Sequence, residues 1–125
     1  MTDEPKAPVP KISERIAEMA AGFLRVGDSL IERQNRLNTA CTAWNFACLH
    51  RKERKHQLEK YPELHLRQCP GESREKIANI IKDIEILIER KRKLFPDDNR
   101  TVVKARVIRI DTGFRIEVTS TSADA

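Results

Sequence analysis

Cysteine and histidine are the residue types in this chain best suited to binding a metal ion, and most of them lie close together in the sequence. Between positions 48 and 69 the chain places Cys48, His50, His56, His65 and Cys69. A compact structural zinc site usually takes two pairs of such ligands, with about two to four residues between the members of a pair. Only the first two and the last two of these residues approach that spacing. The sequence therefore favours solvated histidines beside ordinary thiols, and we expect no metal ion and no other cofactor.

The cysteines are also candidates for redox chemistry. Cys41 and Cys48 are seven residues apart in a predicted helix, so about 10 Å separates them along the axis, too far for a disulfide. An odd number of cysteines and an N-terminal sequence without a hydrophobic segment favour reduced thiols in the cytoplasm. Cys69, near Arg67, is the candidate for a reactive thiol. No apolar stretch approaches the roughly 18 residues that cross a bilayer, so a membrane is not an expected partner.

The motifs that many enzymes use are missing from the sequence. The chain has four glycines, at positions 22, 27, 71 and 113, and they form neither of the common glycine-rich patterns that bind phosphate groups. No serine lies in the Gly-x-Ser-x-Gly turn of hydrolases. We therefore expect a protein that is not an enzyme.

Basic residues make nucleic acid the alternative partner. The chain has 24 Lys+Arg and 19 Asp+Glu, a net charge of +5, and residues 50–71 contain six basic and three acidic residues. Acidic residues are interleaved with the basic ones, and Tyr61 and Phe114 are the aromatic residues that could stack on bases. A basic accessory or regulatory protein is therefore the second hypothesis. Its phosphate contacts would be Arg51, Lys52, Arg54, Lys55, Arg106, Arg109 and Arg115.

Two helices are predicted in the first half of the chain. Apolar residues at steps of four, three and four predict a helix over 11–25. A second helix is predicted over 28–49, where Asp28 or Ser29 would act as N-cap. Its apolar residues repeat at steps of four and three, so we expect it to pack against other helices and to be the most buried. That apolar face consists of Leu30, Leu37, Cys41, Trp44 and Cys48, and Gln34 interrupts it once.

Residues 50–71 differ from the rest and are predicted to form an exposed, partly helical connection. Before Pro62 their apolar residues are Leu58 and Tyr61, too few for a buried helix face. Pro62 and Pro70 are expected to interrupt any helix there, because proline lacks the backbone donor and disfavours helical geometry in the residue before it.

The most strongly periodic segment follows, and it predicts a helix over 73–95. Its apolar residues fall within about 120° of arc at 100° per residue, with charges on most of the remaining surface. Ile86 lies on the opposite side, where it is either an isolated exposed residue or a contact for a partner.

After Pro96 the period changes from that of a helix to that of a strand, and a β-hairpin is predicted over 101–119. A three-residue loop, 111–113, would place Gly113 in the left-handed conformation. A two-stranded hairpin is marginal alone, and we expect its own chain to cover it only in part. The predicted register pairs Ile110 with Phe114, Ile108 with Ile116 and Arg106 with Val118, with Arg109 opposite Arg115.

Together these segments predict an α+β protein: a three-helix bundle, made of a helical hairpin and a third helix, followed by a C-terminal antiparallel β-hairpin. The predicted divisions are a flexible leader over 1–10, a single domain over 11–119 and a disordered tail over 120–125. The expected core consists of Leu30, Leu37, Trp44, Ile77, Ile81, Ile84 and Ile88.

The functional hypothesis is a non-enzymatic interaction or assembly module that forms a homodimer through the hairpin and the apolar helical face. Another protein is also considered as a partner. The residues expected at the self-association surface are Ile86, Ile108, Ile110, Phe114, Ile116 and Val118.

Overall fold

The computed structural model describes residues 10–24 and 29–121 of the 125-residue chain. Within them four α-helices precede two antiparallel strands, which confirms the predicted α+β class and the order of helices before hairpin. The bundle has one helix more than predicted, because the exposed connection is itself helical. The elements are α1 (Ile12–Met19), α2 (Leu30–Ala47), α3 (Arg51–Gln68), α4 (Arg74–Leu94), β1 (Thr101–Ile110) and β2 (Gly113–Thr121).

At its C-terminal end the hairpin runs two residues further than predicted. Except for Pro10, the predicted leader lies outside the described residues. Ser120 and Thr121 belong to β2 instead of the predicted tail, and the rest of that tail also lies outside the described residues. None of the helices in the described part of the chain combines the length and the apolar character that crossing a membrane requires.

The helix α1 is shorter than predicted. It ends at Met19, and turns follow over residues 20–24. Its buried face is Ile12, Ile16 and Met19. α2 begins after Ser29, whose hydroxyl accepts a hydrogen bond from the Glu32 amide at 3.1 Å. The other predicted N-cap, Asp28, lies outside the described residues.

The helix α3 is a correction to the sequence prediction, because it runs through Pro62 without interruption. Hydrogen bonds between side chains one turn apart support it on both sides of the proline, from Gln57 to Glu53 at 3.1 Å and from Arg67 to Glu63 at 2.9 Å. The predicted exposure is confirmed, since none of the residues of α3 is buried.

The core lies between α2, α4, α1 and the inner face of the hairpin, with Trp44 fully buried at its centre. Most of the expected core residues are buried. The exceptions are Leu30, which is 40% exposed, and Ile81, which is half-buried. The residues confirmed as buried are Leu37, Trp44, Ile77, Ile84 and Ile88.

The hairpin closes one residue tighter than predicted. Ile110 pairs with Gly113, so Asp111 and Thr112 form a two-residue turn. Gly113 has a φ of 135°, a backbone conformation that residues with a side chain rarely adopt. Because side chains alternate along a strand, this shift moves every β1 side chain to the other face relative to β2. The predicted pairs of Ile110 with Phe114, Ile108 with Ile116, Arg106 with Val118 and Arg109 with Arg115 are therefore wrong.

In the observed register the inner face of the hairpin packs on the helices. β1 packs mainly on α2, and β2 lies against α1. Val107 is buried on this face, whereas Ala105 and the apolar residues of β2 are half-buried. The pairs on the inner face are Ala105 with Val118, Val107 with Ile116 and Arg109 with Phe114, and those on the outer face are Arg106 with Glu117, Ile108 with Arg115 and Ile110 with Gly113.

Candidate functional site

The cysteine and histidine side chains that were considered as possible metal ligands do not form a metal-binding cluster in the described part of the chain. Among residues 10–24 and 29–121, no three His, Cys, Asp or Glu side chains are close enough to share a metal ion. His50 and His56 are exposed, as is Cys69 at the end of α3. The sulfur of Cys48 lies instead 3.7 Å from the main-chain oxygen of Asp98.

His65 has the most contacts of the three histidines. Its Nδ1 lies 3.4 Å from the hydroxyl of Tyr61, and its Nε2 lies 3.5 Å from a carboxylate oxygen of Glu72. Burial, and to a smaller extent the negative charge of the nearby Cys69 in its thiolate form, raises the pKa of Tyr61. Since Glu72 precedes α4, these contacts connect the end of α3 to the start of α4. They position a helix that has little other packing.

A buried polar cluster lies where α4 ends and the chain approaches β1. The Lys91 side chain is 1% exposed, and its ammonium donates a hydrogen bond to the main-chain oxygen of Asp98 at 2.6 Å. The same nitrogen lies 5.0 Å from the centre of the Trp44 ring, whose Nε1 donates to the main-chain oxygen of Arg100 at 2.7 Å. Because solvent cannot reach the lysine, it has no access to a substrate.

The carboxylate of Asp98 is the anionic centre of this cluster. Arg15 from α1 contacts it at 2.9 Å, and Arg100 donates to it from both its main chain and its guanidinium. Burial alone would raise the pKa of Asp98, but the hydrogen bonds from Arg100 and Arg15 and the charge of Arg100 lower it to about 2. The cluster therefore fixes the position of the segment before β1, and with it the start of the hairpin.

Burial also makes the core thiols poor nucleophiles. It raises the pKa of Cys41 to about 12. It raises that of Cys48 as well, although the charge of Lys91 opposes the shift. Thiolate is the reactive form of cysteine, so neither thiol is activated.

The outer edge of β1 is covered by two amide side chains from α2. Asn45 accepts a hydrogen bond from the amide of Val102 at 2.8 Å and donates to the carbonyl of the same residue at 3.0 Å. Gln34 accepts from the amide of Val107 at 2.8 Å and donates to the carbonyl of Ala105 at 3.1 Å. Each amide therefore takes the place of a neighbouring strand at two main-chain groups, and α2 lies where a further strand would pair with β1.

The spacing of these two amides suits the strand. Gln34 and Asn45 are eleven residues apart, which is about three turns of helix and about 16 Å of rise, so both lie on the same side of α2. Four to five strand residues span a similar length, at about 3.3 Å each. α2 can therefore hold the strand at two points without distortion.

The outer edge of β2 has no such cover. The amide of Val107 and the carbonyl of Ala105 point to α2, so the pairs they form with Ile116 and Val118 are not hydrogen-bonded pairs of the ladder. The polar main-chain groups of Ile116 and Val118 consequently point away from β1. No hydrogen bond within the described part of the chain satisfies these groups, nor those of Phe114 and Ser120.

Charged side chains surround this open edge. On the outer face of the hairpin Glu117 accepts from Arg106 at 2.8 Å and lies 3.4 Å from Arg115. Beside the edge is an open recess, and Lys11 and Lys104 bring further positive charge to it. Among the described residues that line this recess, cations therefore outnumber the carboxylate of Glu117.

The residues predicted to contact nucleic acid lie on separate elements. Arg51, Lys52, Arg54 and Lys55 are in the first turns of α3, which contacts neither strand of the hairpin. On the hairpin, Arg106 and Arg115 share the outer face with Glu117, but Arg109 is on the inner face, where its guanidinium lies 5.5 Å from the ring centre of Phe114.

The two aromatic rings considered for base stacking are already in contact with neighbours. Arg33 lies 4.1 Å from the ring centre of Phe114. Tyr61 packs edge-on against Phe46, with ring centres 6.5 Å apart. Stacking of a base on either ring would require these contacts to be displaced.

The residues predicted for self-association divide among three surfaces. Ile86 is 59% exposed on α4. Ile108 and Ile110 lie on the outer face, whereas Phe114, Ile116 and Val118 lie on the inner face. The apolar face of α2 packs within its own chain. The structure thus brings the last three residues together, and what it exposes there is the polar edge of their strand.

Sequence reasoning missed Gln34, Asn45 and Lys91. A signal existed for two of them. Gln34 interrupts the apolar face of α2 at a core position, and Lys91 follows Ile84, Leu87 and Ile88 at helical spacing on the buried face of α4. Asn45 gave no such signal.

Comparisons of the chain with protein-family models, with curated proteins and with solved structures find no match. The residues of this chain are therefore the basis of the functional argument.

Proposed function

We propose that this chain is a non-enzymatic assembly module that joins a second copy of itself through the open edge of β2. The observation that supports the proposal is the difference between the two edges of one hairpin. Gln34 and Asn45 bond four outward main-chain groups of β1 and tie that edge to α2, whereas the outward main-chain groups of Ile116 and Val118 have no partner among the described residues.

A second copy is a suitable partner for this edge. Two-fold pairing of β2 with β2 of the other copy makes one four-stranded antiparallel sheet from two marginal hairpins. Since Gln34 and Asn45 tie the edge of β1 to α2, we expect such assembly to end at the dimer. The edge borders an open recess, which the start of α1 lines on its other side through Lys11 and Ser13.

The rest of the chain supports this role. The helices bury the inner face of the hairpin, and the cluster around Asp98 fixes where β1 begins. Lys91 is too deeply buried to act on a substrate. We place the module in the cytoplasm, where free thiols such as the exposed one of Cys69 persist.

The experiment compares two substitutions of one residue. Val118→Pro removes the amide hydrogen of Val118, which points away from β1 and would bond the second copy. Because this amide makes no bond within the hairpin, proline is tolerated there in the single chain. Val118→Ala removes similar side-chain contacts but keeps the amide. Sedimentation or light scattering at high micromolar concentration should show a dimer for the wild type and the alanine variant, and a monomer for the proline variant. A monomeric wild type, or a dimeric proline variant, contradicts the proposal.

The alternative function is nucleic-acid binding, which can be tested on the same purified protein. Duplex and single-stranded oligonucleotides are titrated at about 50 mM and about 200 mM salt. Tight binding that weakens steeply with salt would favour phosphate contacts by the basic residues of α3 and the hairpin. The assembly module should show almost no binding.

A further inference from the structure

The geometry of the open edge points to one pairing register, and this inference rests on the proposed function. We propose that the two copies pair around Ile116, so that Arg115 of each copy faces Glu117 of the other. Arg115 and Glu117 then act as the residues that determine the specificity of self-association. Both have exposed side chains on the outer face of the hairpin, 59% and 41% exposed respectively.

Strand geometry limits the possible registers to a few. Two identical strands related by a two-fold axis are antiparallel, so their pairing is defined by its centre. Outward-pointing groups of one copy must meet outward-pointing groups of the other, which places the centre on a residue and not between two residues. Near the middle of β2 the possible centres are Arg115, Ile116, Glu117 and Val118.

The charges distinguish these registers. A centre at Arg115 places the arginines of the two copies opposite each other. A centre at Glu117 pairs the largest number of β2 residues between the copies, but it places their two glutamates opposite each other. Like charges directly opposite each other destabilise a sheet. A centre at Val118 places Glu117 opposite Thr119 of the other copy. Only the centre at Ile116 gives two opposite-charge pairs.

The surroundings favour the same register. With the centre at Ile116, the carboxylate of Glu117 from the second copy lies opposite Arg115. The recess beside it is also lined by the positively charged side chains of Lys11 and Lys104. On the inner face Ile116 meets its own copy and Phe114 meets Val118, which are apolar pairs of the kind that stabilise sheets. Both faces of the sheet are therefore complementary.

A charge exchange between the two positions tests the register. Arg115→Glu and Glu117→Arg each place like charges opposite each other in the homodimer, so each variant alone should self-associate at least about tenfold more weakly than the wild type. A one-to-one mixture restores both pairs in the heterodimer, which should be as tight as the wild-type dimer. Native mass spectrometry with one variant isotopically labelled measures the heterodimer fraction. Heterodimer no more abundant than random assortment would overturn the register.

A geometric test covers the case in which Glu117→Arg, which also removes the partner of Arg106, fails to fold. In a Cys69→Ser background, Arg115→Cys is mixed with Glu117→Cys under mild oxidation. The proposed register predicts a disulfide between the two variants and none within either variant alone. Cross-linking of Glu117→Cys with itself would instead indicate a centre at Glu117 and refute the inference.

The outcomes separate the two proposals. If the wild type is monomeric, or if Val118→Pro still dimerises, self-association through this edge is wrong and the register is wrong with it. A second outcome is that Val118→Pro abolishes the dimer, but the charge-exchange and cysteine experiments do not give the results expected for a centre at Ile116. In that case the edge is correct and the register is wrong. Ser120→Pro is the matched control, because its amide also points outward but lies beyond the paired residues; it should leave the dimer intact.

Discussion

The ammonium of Lys91 and the main-chain oxygen of Asp98 are joined by a 2.6 Å hydrogen bond in the interior of the protein. The lysine comes from the last turns of α4, and Asp98 lies in the short segment that leads to β1. A buried carbonyl needs a donor, and a buried ammonium needs an acceptor. This one bond meets both requirements and fixes the approach of the hairpin to the helices.

Lys91→Met should reduce the free energy of unfolding by about 1 to 3 kcal/mol. Methionine keeps much of the packing against Trp44, so the loss reflects the buried carbonyl left without its charged donor. Urea unfolding measures the change. Lys93→Met, at an exposed position of the same helix, is the control and should change the value by less than about 0.5 kcal/mol. A Lys91→Met variant as stable as the wild type would mean that the cost of burying the ammonium equals the value of its bond.

The carboxylate of Asp98 should make stability depend on acidic pH. Its pKa in the folded protein is about 2, below the ordinary value of 3.8. A carboxylate with a lowered pKa contributes stability that is complete above its unfolded pKa and is lost as the pH falls toward its folded pKa. The contribution is about 2 kcal/mol and should disappear between about pH 4 and pH 2.

Asp98→Asn isolates this contribution from those of the other carboxylates. The difference in free energy of unfolding between wild type and variant, measured in urea at several pH values, should shrink as the pH falls through that range. A difference that is constant from about pH 5 to about pH 2 would show that Arg15 and Arg100 do not hold the carboxylate as described.

The parts of the fold that follow from local periodicity could be predicted from the sequence. The isoleucines of α4 define a buried face without any knowledge of the neighbouring elements, and Ser29 marks the start of α2 by its capping chemistry. The register of the hairpin could not be predicted in this way. A two-residue turn and a three-residue loop both use Gly113, and they differ by one residue. The amide of Gln34 on a distant helix favours the observed register.

At Lys91 and Pro62 the residue type suggested the wrong environment, whereas the position of the residue in its helix indicated the right one. Lys91 lies in a run of four basic residues, which suggests a solvated helix end, yet its position continues the apolar face of α4. Pro62 suggests a helix end, but an exposed helix can continue past the loss of one hydrogen bond. The self-association surface was predicted as an apolar face, and we propose the polar edge of β2 in its place; alternation along a strand does not reveal which edge another element covers.

Pro62→Ala should stabilise α3. Proline at this position leaves the carbonyl of Leu58 without its helical donor, and alanine restores the bond, for an expected gain of about 1 to 3 kcal/mol in local stability. Because α3 has no buried residues, it should open on its own at a lower free energy than the core. The gain should therefore appear as slower amide exchange within α3. Lys60→Ala, two residues away on the exposed surface, should leave that exchange nearly unchanged; equal effects of the two substitutions would argue against a cost specific to proline.

The two amides of α2 should control both the protection of β1 and the size of the assembly. Asn45→Leu removes both bonds to Val102, and Gln34→Leu frees the amide of Val107. Each substitution should accelerate hydrogen exchange at the amide it releases and reduce the free energy of unfolding by about 1 to 3 kcal/mol. Asn35→Leu, an exposed position on the same helix, makes the same chemical change away from the strand and should do neither.

The double substitution Gln34→Leu with Asn45→Leu gives the hairpin two open edges. If β2 pairs with a second copy, a chain that also exposes β1 can continue the pairing on its other side, and closed dimers should give way to larger assemblies. Light scattering should then show a mass that rises with concentration beyond that of a dimer. Adding Val118→Pro to the double variant closes one of the two routes and should limit the growth. A double variant that folds and stays dimeric would show that another part of α2 covers the edge of β1.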